Sequence, residues 1–191
     1  MIKLEIPLKN EDILNLKVGD RVLLSGVIFT ARDMAHKFLF EEINDEFKGK
    51  LGGGVVYHCG PIVRKKEDGW EIVAAGPTTS IREELYEWKI ISEYGVRAVI
   101  GKGGMGSGTL DALSENGCVY LHAVGGAAVL IANSIVKVGD VYKLEEFGIP
   151  EAIWELEVRD FPAVVTMDAH GNSLHDDVLK ESEKIYRELI R

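Results

Sequence analysis

The sequence is poor in the residues that staple a fold or hold soft metals. It has two cysteines in 191 residues, Cys59 and Cys118, and they form no Cys-x-x-Cys pair. A secreted disulfide framework is not expected, and a reduced, cytoplasmic setting is. No apolar run approaches the ~20 residues that span a bilayer, and Met1 to Asn10 is too charged for the apolar core of a signal peptide. Positive charge is short as well: 22 Lys and Arg stand against 31 Asp and Glu, a net charge of -9. Such a chain repels a phosphate backbone over most of its surface, which argues against a general nucleic-acid binder. Proline is sparse, and no repeat, low-complexity segment or convincing linker interrupts the chain, so residues 1–191 read as one domain. A domain of this length buries roughly 70% of its unfolded surface, enough for a core without disulfides or structural metal.

What the chain does have is alternation between strand and helix patterns. Ile2, Leu4 and Ile6 alternate with polar residues, and a Lys17–Asp20 turn leads into the β-branched run Arg21 to Thr30. Residues 33–46 switch to helical spacing, with Met34, Phe38 and Ile43 as the inward positions and Asp33 as a candidate N-cap. Val55 to Cys59 reads as a buried strand, Arg64 to Gly69 as a charged hairpin, and Ile81 to Tyr94 as a helix capped by Ser80, with Glu83 in capping-box position. Short strands at Ala98 and Cys118 then alternate with helices over 105–115 and 127–135. Val138 to Tyr142 starts a further strand, 155–166 is strand-like, and a charged helix covers 173–190. This order predicts an α/β fold with a parallel sheet, arranged as β/β/α layers.

Three junctions place a cation or hydroxyl where a turn opens into a helix. In Thr30-Ala-Arg-Asp-Met-Ala-His-Lys, Arg32 would sit at a helix N-terminus with His36 and Lys37 one turn on; a surface cap with a solvated Arg is the alternative. In Ala75-Gly-Pro-Thr-Thr-Ser-Ile-Arg, Thr78 and Arg82 are four apart and could share a pocket, whereas simple capping would need Ser80 alone. In Ile100-Gly-Lys-Gly-Gly-Met-Gly-Ser-Gly, the glycines Gly101, Gly103 and Gly104 permit close approach of an anion and Lys102 supplies charge. A Gly-x-Gly-x-x-Gly pattern is present there, but no acidic residue ends a following strand, so a dinucleotide is not implied. His58 lies at a strand end and lines a site or sits in the core. Asp168, His170, His175 and Asp176 lie too irregularly for a metal site, and no metal is assigned.

Together these segments resemble one family. Thr30-Ala-Arg-Asp-x-Ala-His-Lys, His58-Cys-Gly-Pro, Ala75-Gly-Pro-Thr-Thr-Ser-x-Arg, Gly101-Lys-Gly-Gly-Met and Val124-Gly-Gly-Ala-Ala look like the motifs of class I fumarase and L-tartrate dehydratase beta subunits, in the same order. The resemblance covers nearly the whole chain. It implies a swivelling β/β/α fold and a hydro-lyase acting on a small dicarboxylate, either fumarate to L-malate or L-tartrate to oxaloacetate. It implies Arg32, Arg82 and Lys102 as carboxylate binders and Thr78 as the proton-abstracting hydroxyl. It also implies a [4Fe–4S] cluster carried by a cysteine-bearing alpha subunit, in a heterotetramer within which this chain could pair with its own copy. Two dispersed cysteines agree that this chain binds no cluster alone. Phe38 stands where a basic residue is expected in many relatives, which loosens the substrate. A non-catalytic dicarboxylate-binding module is the remaining alternative.

Overall fold

The alternating start becomes strand β1 (Ile2–Glu5), and the β-branched run becomes β2 (Arg21–Thr30), with the short helix α1 (Asn10–Leu14) between them. These elements come from a computed structural model that describes residues 1–190. Next come α2 (Asp33–Glu41), α3 (Asp45–Leu51), β3 (Val55–Tyr57) and the hairpin of β4 (Ile62–Lys66) and β5 (Gly69–Ala74). A 3-10 turn at Ser80–Glu83 leads into α4 (Glu84–Tyr94). The remainder alternates as β6 (Ala98–Gly101), α5 (Ser107–Asn116), β7 (Val119–His122), α6 (Ala128–Ala132), β8 (Ile135–Tyr142), α7 (Leu144–Phe147), β9 (Ile153–Met167) and α8 (Leu174–Leu189).

Seven strands form one sheet in the order β1-β2-β3-β6-β7-β9-β8. The pairings from β1 through β7 are parallel, and β9 runs antiparallel to β7 and β8. β9 also pairs antiparallel with β2, from Arg21↔Val164 to Phe29↔Glu155, so β2, β3, β6, β7 and β9 close into a ring. Strand alternation sorts the side chains around it. Leu24, Tyr57, Ile100, Leu121, Trp154 and Phe161 belong to one core, and the alternate residues Phe29, Val56, Val99, Tyr120 and Met167 to a second. That second core is completed by Ala35, Leu39, Phe47, Ile90, Ile91 and Leu113 from helices α2 to α5. β3, β6 and β7 are buried on both faces, which is why they read as unbroken apolar runs. The hairpin covers the first core with Val63, Trp70 and Ile72, Trp70 meeting Trp154 edge to face at 5.4 Å. The α/β expectation holds, and the β2–β9 pairing adds a curl that the layered description lacks.

Local expectations needed correction in α2. Ala35, His36 and Leu39 face the core, whereas Met34 and Ile43 are exposed. The single helix expected over 33–46 is two, because Asn44 accepts from the amides of Glu46 and Phe47 and starts α3 afresh. Ile43 is left outside that cap. Residues 138–142, expected to open a strand after a turn, lie inside β8. Ser173 caps α8 by accepting from the Asp176 amide, and that helix buries none of its side chains.

Candidate functional site

Four of the five parallel strands, β2, β3, β6 and β7, end at one rim of the sheet, the carboxyl edge where parallel α/β sheets place their ligands. Each junction singled out above lies there. Arg32 follows β2, His58 follows β3 and Lys102 follows β6. The Gly76–Ser80 segment threads between the last two: the Thr78 amide donates to the His58 carbonyl at 2.7 Å, Thr79 bridges to Lys102, and the Ser80 amide donates to the Lys102 carbonyl at 3.0 Å. Thr78 and Lys102, 24 positions apart in sequence, are thereby neighbours on adjoining main chains. Thr78 is half-buried, and its hydroxyl makes no hydrogen bond among the described residues.

Arg32 and Arg82 converge on Asp33. One Arg82 Nη lies 2.7 and 2.6 Å from the two Asp33 carboxylate oxygens, and an Arg32 Nη lies 3.7 Å from Asp33 Oδ2. Arg32 also reaches Glu151 at 3.4 Å. Asp33 therefore does not cap α2 as expected; Arg32 holds the cap position without a side-chain bond, and Asp33 bridges guanidinium groups. Ser80 is likewise no cap, since its hydroxyl is buried in a different network. Lys102 has no carboxylate partner among the described residues. The exposed Lys37 does not line this rim with the others; it pairs with Glu41 at 3.7 Å along its own helix.

His36, expected beside Arg32 at the rim, and His58 are both completely buried behind it, which for His58 is the core alternative. Their Nε2 atoms lie 2.9 and 2.8 Å from the same oxygen of Glu87, itself completely buried. His36 Nδ1 meets the Arg32 carbonyl at 3.0 Å, and His58 Nδ1 meets Ser80 Oγ at 2.9 Å. Ser80 Oγ also accepts from the Lys102 amide at 3.2 Å and from the Tyr120 hydroxyl at 2.8 Å. Glu83, read in the sequence as a capping-box residue, makes no cap, and Glu87 was missed. They occupy the same helical stripe as Ile90, Ile91 and Tyr94, and a carboxylate in an apolar stripe was the available signal.

This network explains the Gly-rich loop in part. A side chain at Gly101 would overlap Ser80 Oγ and lie 2.9 Å from the Tyr120 hydroxyl, so the missing Cβ admits the network rather than a ligand. Gly104 makes room for the His175 ring, and only Gly103, at φ +83°, is both exposed and left-handed. The N-terminus of α5 is already occupied: Glu84 accepts from the amides of Gly106 at 2.7 Å and Thr109 at 3.1 Å. With a carboxylate already at that helix end, Lys102 is the cation that an anion near this loop would meet.

Charge in the cluster is uneven. Although burial opposes it, the Glu87 carboxylate, helped by Glu83, carries His36 above its ordinary value. Burial and the neighbouring His36 push His58 down, against the pull of Glu87. Despite its own burial, Glu87 is held down to about 2 by the two imidazoles. Glu83 has neither carboxylate oxygen hydrogen-bonded, and burial above all lifts it to about 7. A carboxyl raised in the fold stabilises it fully below the unfolded value and loses that contribution as pH climbs through about 7. Glu83→Gln is therefore expected to raise Tm near pH 8.5 by roughly 2–4 °C, the size of a 1 kcal/mol gain in a chain of this length. Near pH 5 it should change little. Calorimetry at both pH values checks this, and an equal gain at each would assign the effect to packing.

His36, His58 and Glu87 offer atoms within 4.8 Å of one another, but each imidazole Nε2 is already hydrogen-bonded to the carboxylate, with no solvent access. Asp168 accepts from the amides of Val18, His170 and Asn172 and so organises a turn, while His175 meets Thr166. Cys59 and Cys118 are buried in separate cores, and burial pushes the Cys59 thiol up to about 12 and Cys118 well above its usual range. Two buried thiols that resist ionisation do not fit an iron–sulfur cluster, which takes three or four thiolates.

Residues 1–178 match a family model described as Fumarase C-terminus. A protein of Geobacillus stearothermophilus assigned as a class I fumarate hydratase is 55% identical over 95% of this chain and 35% of its own length. Proteins assigned as L(+)-tartrate dehydratase beta subunits are 45% identical in Methanocaldococcus jannaschii, over 96% of this chain and 95% of theirs, and 40% identical in Escherichia coli K12, over 97% and 90%. The chain thus spans about a third of that fumarate hydratase and nearly all of each beta subunit. With a match that runs through every junction at the strand ends, the chain belongs to the Fumarase C-terminus family.

Proposed function

We propose that this chain is the beta-type part, acting as one domain, of an iron–sulfur-dependent hydro-lyase that interconverts fumarate and L-malate. The observation that carries the reading is the rim itself, where Thr78 and the cations Arg32, Arg82 and Lys102 gather at the ends of parallel strands. Two carboxylates of a C4 diacid need two cationic clamps. Lys102 is free to be one, and the guanidinium groups now turned to Asp33 form the other. The Arg82–Asp33 pair is half-exposed, and such pairs hold by only ~0.2–1 kcal/mol, so an incoming carboxylate can displace or share it. In the dehydrating direction Thr78 Oγ, as the alkoxide, takes the proton from the carbon beside the one bearing the hydroxyl. The C–H electron pair forms the double bond, and the hydroxyl departs as hydroxide, for which the partner's cluster would supply the Lewis acid. Threonine is a weak base in water, and the surrounding cations stabilise its alkoxide. L-tartrate to oxaloacetate is the second reading, favoured by the near full-length match to beta subunits.

The [4Fe–4S] cluster belongs in this proposal to a cysteine-bearing alpha subunit, because the thiols here cannot hold it. Large apolar side chains lie exposed on the structural elements around the rim, among them Ile81, Leu85, Val129 and Leu130, and covering them is a role for that partner. A cytoplasmic heterotetramer, with two copies of each subunit, follows the same reading. The test is co-expression with the alpha subunit and anaerobic assay on fumarate, L-malate and L-tartrate. The isolated chain is expected to be colourless, iron-free and inactive, and the reconstituted complex active. Stoichiometric iron and sulfide in the isolated chain, or a complex inert toward all three acids, would end this reading.

A further inference from the structure

We propose that Glu87 is a positioning residue: its carboxylate joins His36 and His58 in one buried chain that sets the main chain at Arg32, Thr78 and Lys102. The inference rests on the function proposed above only for what those three residues do.

The protons can be placed from the partners alone. The Arg32 carbonyl can only accept, so His36 Nδ1 donates to it at 3.0 Å. The Glu87 oxygen accepts at 2.9 Å, so His36 Nε2 also donates, and His36 is an imidazolium. Ser80 Oγ accepts from the Lys102 amide and the Tyr120 hydroxyl, which uses both lone pairs. Its own proton is then donated to His58 Nδ1, and neutral His58 donates its Nε2–H to the Glu87 carboxylate. One carboxylate thus neutralises one imidazolium while orienting a second, uncharged ring 4.9 Å away. The charged groups facing His36 are Glu87 and Glu83, the latter 3.6 Å from Nδ1.

Each end of the chain lands on main chain at the rim. His36 grips the carbonyl of Arg32, whose side chain is one clamp. The His58 carbonyl receives the Thr78 amide, and Ser80 receives the Lys102 amide. A buried ion cluster kept only for stability has no need to touch all three strand ends. The space left by Gly101 is also filled by Ser80 and Tyr120, members of the same chain.

Glu87→Gln preserves shape and removes the charge. Without it His36 sheds a proton: the carboxamide oxygen at that position would cost His36 one of its two bonds, and the carboxamide NH2 would keep His36 but drive the His58 proton to Nδ1, against the Ser80 hydroxyl. Two arms test the proposal. In the isolated chain, imidazole nitrogen NMR is expected to show His36 doubly protonated at pH 7.5 in the wild type and singly protonated in Glu87→Gln. In the reconstituted complex, Glu87→Gln is expected to lower kcat by roughly 10-fold or more, as displaced catalytic groups do. Ser80→Ala, which cuts the chain without touching charge, is expected to raise KM through the Lys102 main chain. A neutral His36 in the wild type overturns the proposal whether or not any variant folds. So does a folded Glu87→Gln complex with wild-type kinetics. A wild-type complex inactive on all three acids would instead remove the proposed function, while the NMR arm still judges Glu87.

Discussion

Thr78→Ala in the reconstituted complex is expected to cut turnover by roughly 10²-fold or more while leaving substrate affinity nearly intact. The hydroxyl makes no hydrogen bond among the described residues, so its loss breaks no internal hydrogen bond there. The loop is held by main chain instead, through the Thr78 amide on His58 and the Thr79 bridge to Lys102, and both survive truncation. Folding should therefore be little disturbed, and the deficit should fall on the proton-transfer step. Thr78→Ser is expected to keep part of the rate, because the hydroxyl remains but the methyl that limits its rotamers does not. Capping cannot account for Thr78, since Thr79 precedes the 3-10 turn and itself makes no side-chain cap. Steady-state kinetics and a binding isotherm on the same preparation decide the matter. Near-wild-type turnover in Thr78→Ala would move the base elsewhere, to the partner subunit first.

Lys102→Ala and Arg82→Ala are expected to raise KM and lower kcat together. In the proposed reaction each cation faces a carboxylate whose charge grows as the neighbouring carbon gives up its proton, so each would be worth more in the transition state than in the ground state. A hydrogen bond to a charged group contributes roughly 1.5–3 kcal/mol, and its loss therefore costs about 10- to 150-fold in kcat/KM. The two replacements should differ in kind. Lys102 has no competing carboxylate among the described residues, so its removal leaves simple loss of a clamp. Arg82→Ala strips Asp33 of its 2.6 Å partner and leaves its negative charge to Arg32 alone, at 3.7 Å, which draws the remaining guanidinium away from a substrate carboxylate. A double variant with Asp33→Asn should recover part of the Arg82→Ala defect in KM, and Asp33→Asn should rescue nothing in Lys102→Ala. Equal rescue in both backgrounds would show that Asp33 is not the local partner of Arg82.

The sequence alone determined the strand-to-helix junctions and the family resemblance, and there are local reasons for it. Gly76-Pro77 forces a turn wherever it occurs, and the doubly buried strands β3, β6 and β7 cannot avoid looking apolar. The cations and Thr78 were legible because they sit in such punctuated segments. Helix ends were less so: Asp33 and Ser80 have capping chemistry, yet both were taken by partners far along the chain, Arg82 in one case and Tyr120 with His58 in the other. Only the tertiary structure decided that His36 and His58 lie behind the rim, since a histidine's burial depends on whether a counter-charge is delivered to it. Here Glu87 delivers it from 51 and 29 residues away. The closing of the sheet through β2 and β9 is of the same kind, because pairing of strands more than a hundred positions apart leaves no periodicity to read. Local propensity and turn chemistry are written residue by residue, whereas charge compensation and strand closure are properties of neighbours that only folding brings together.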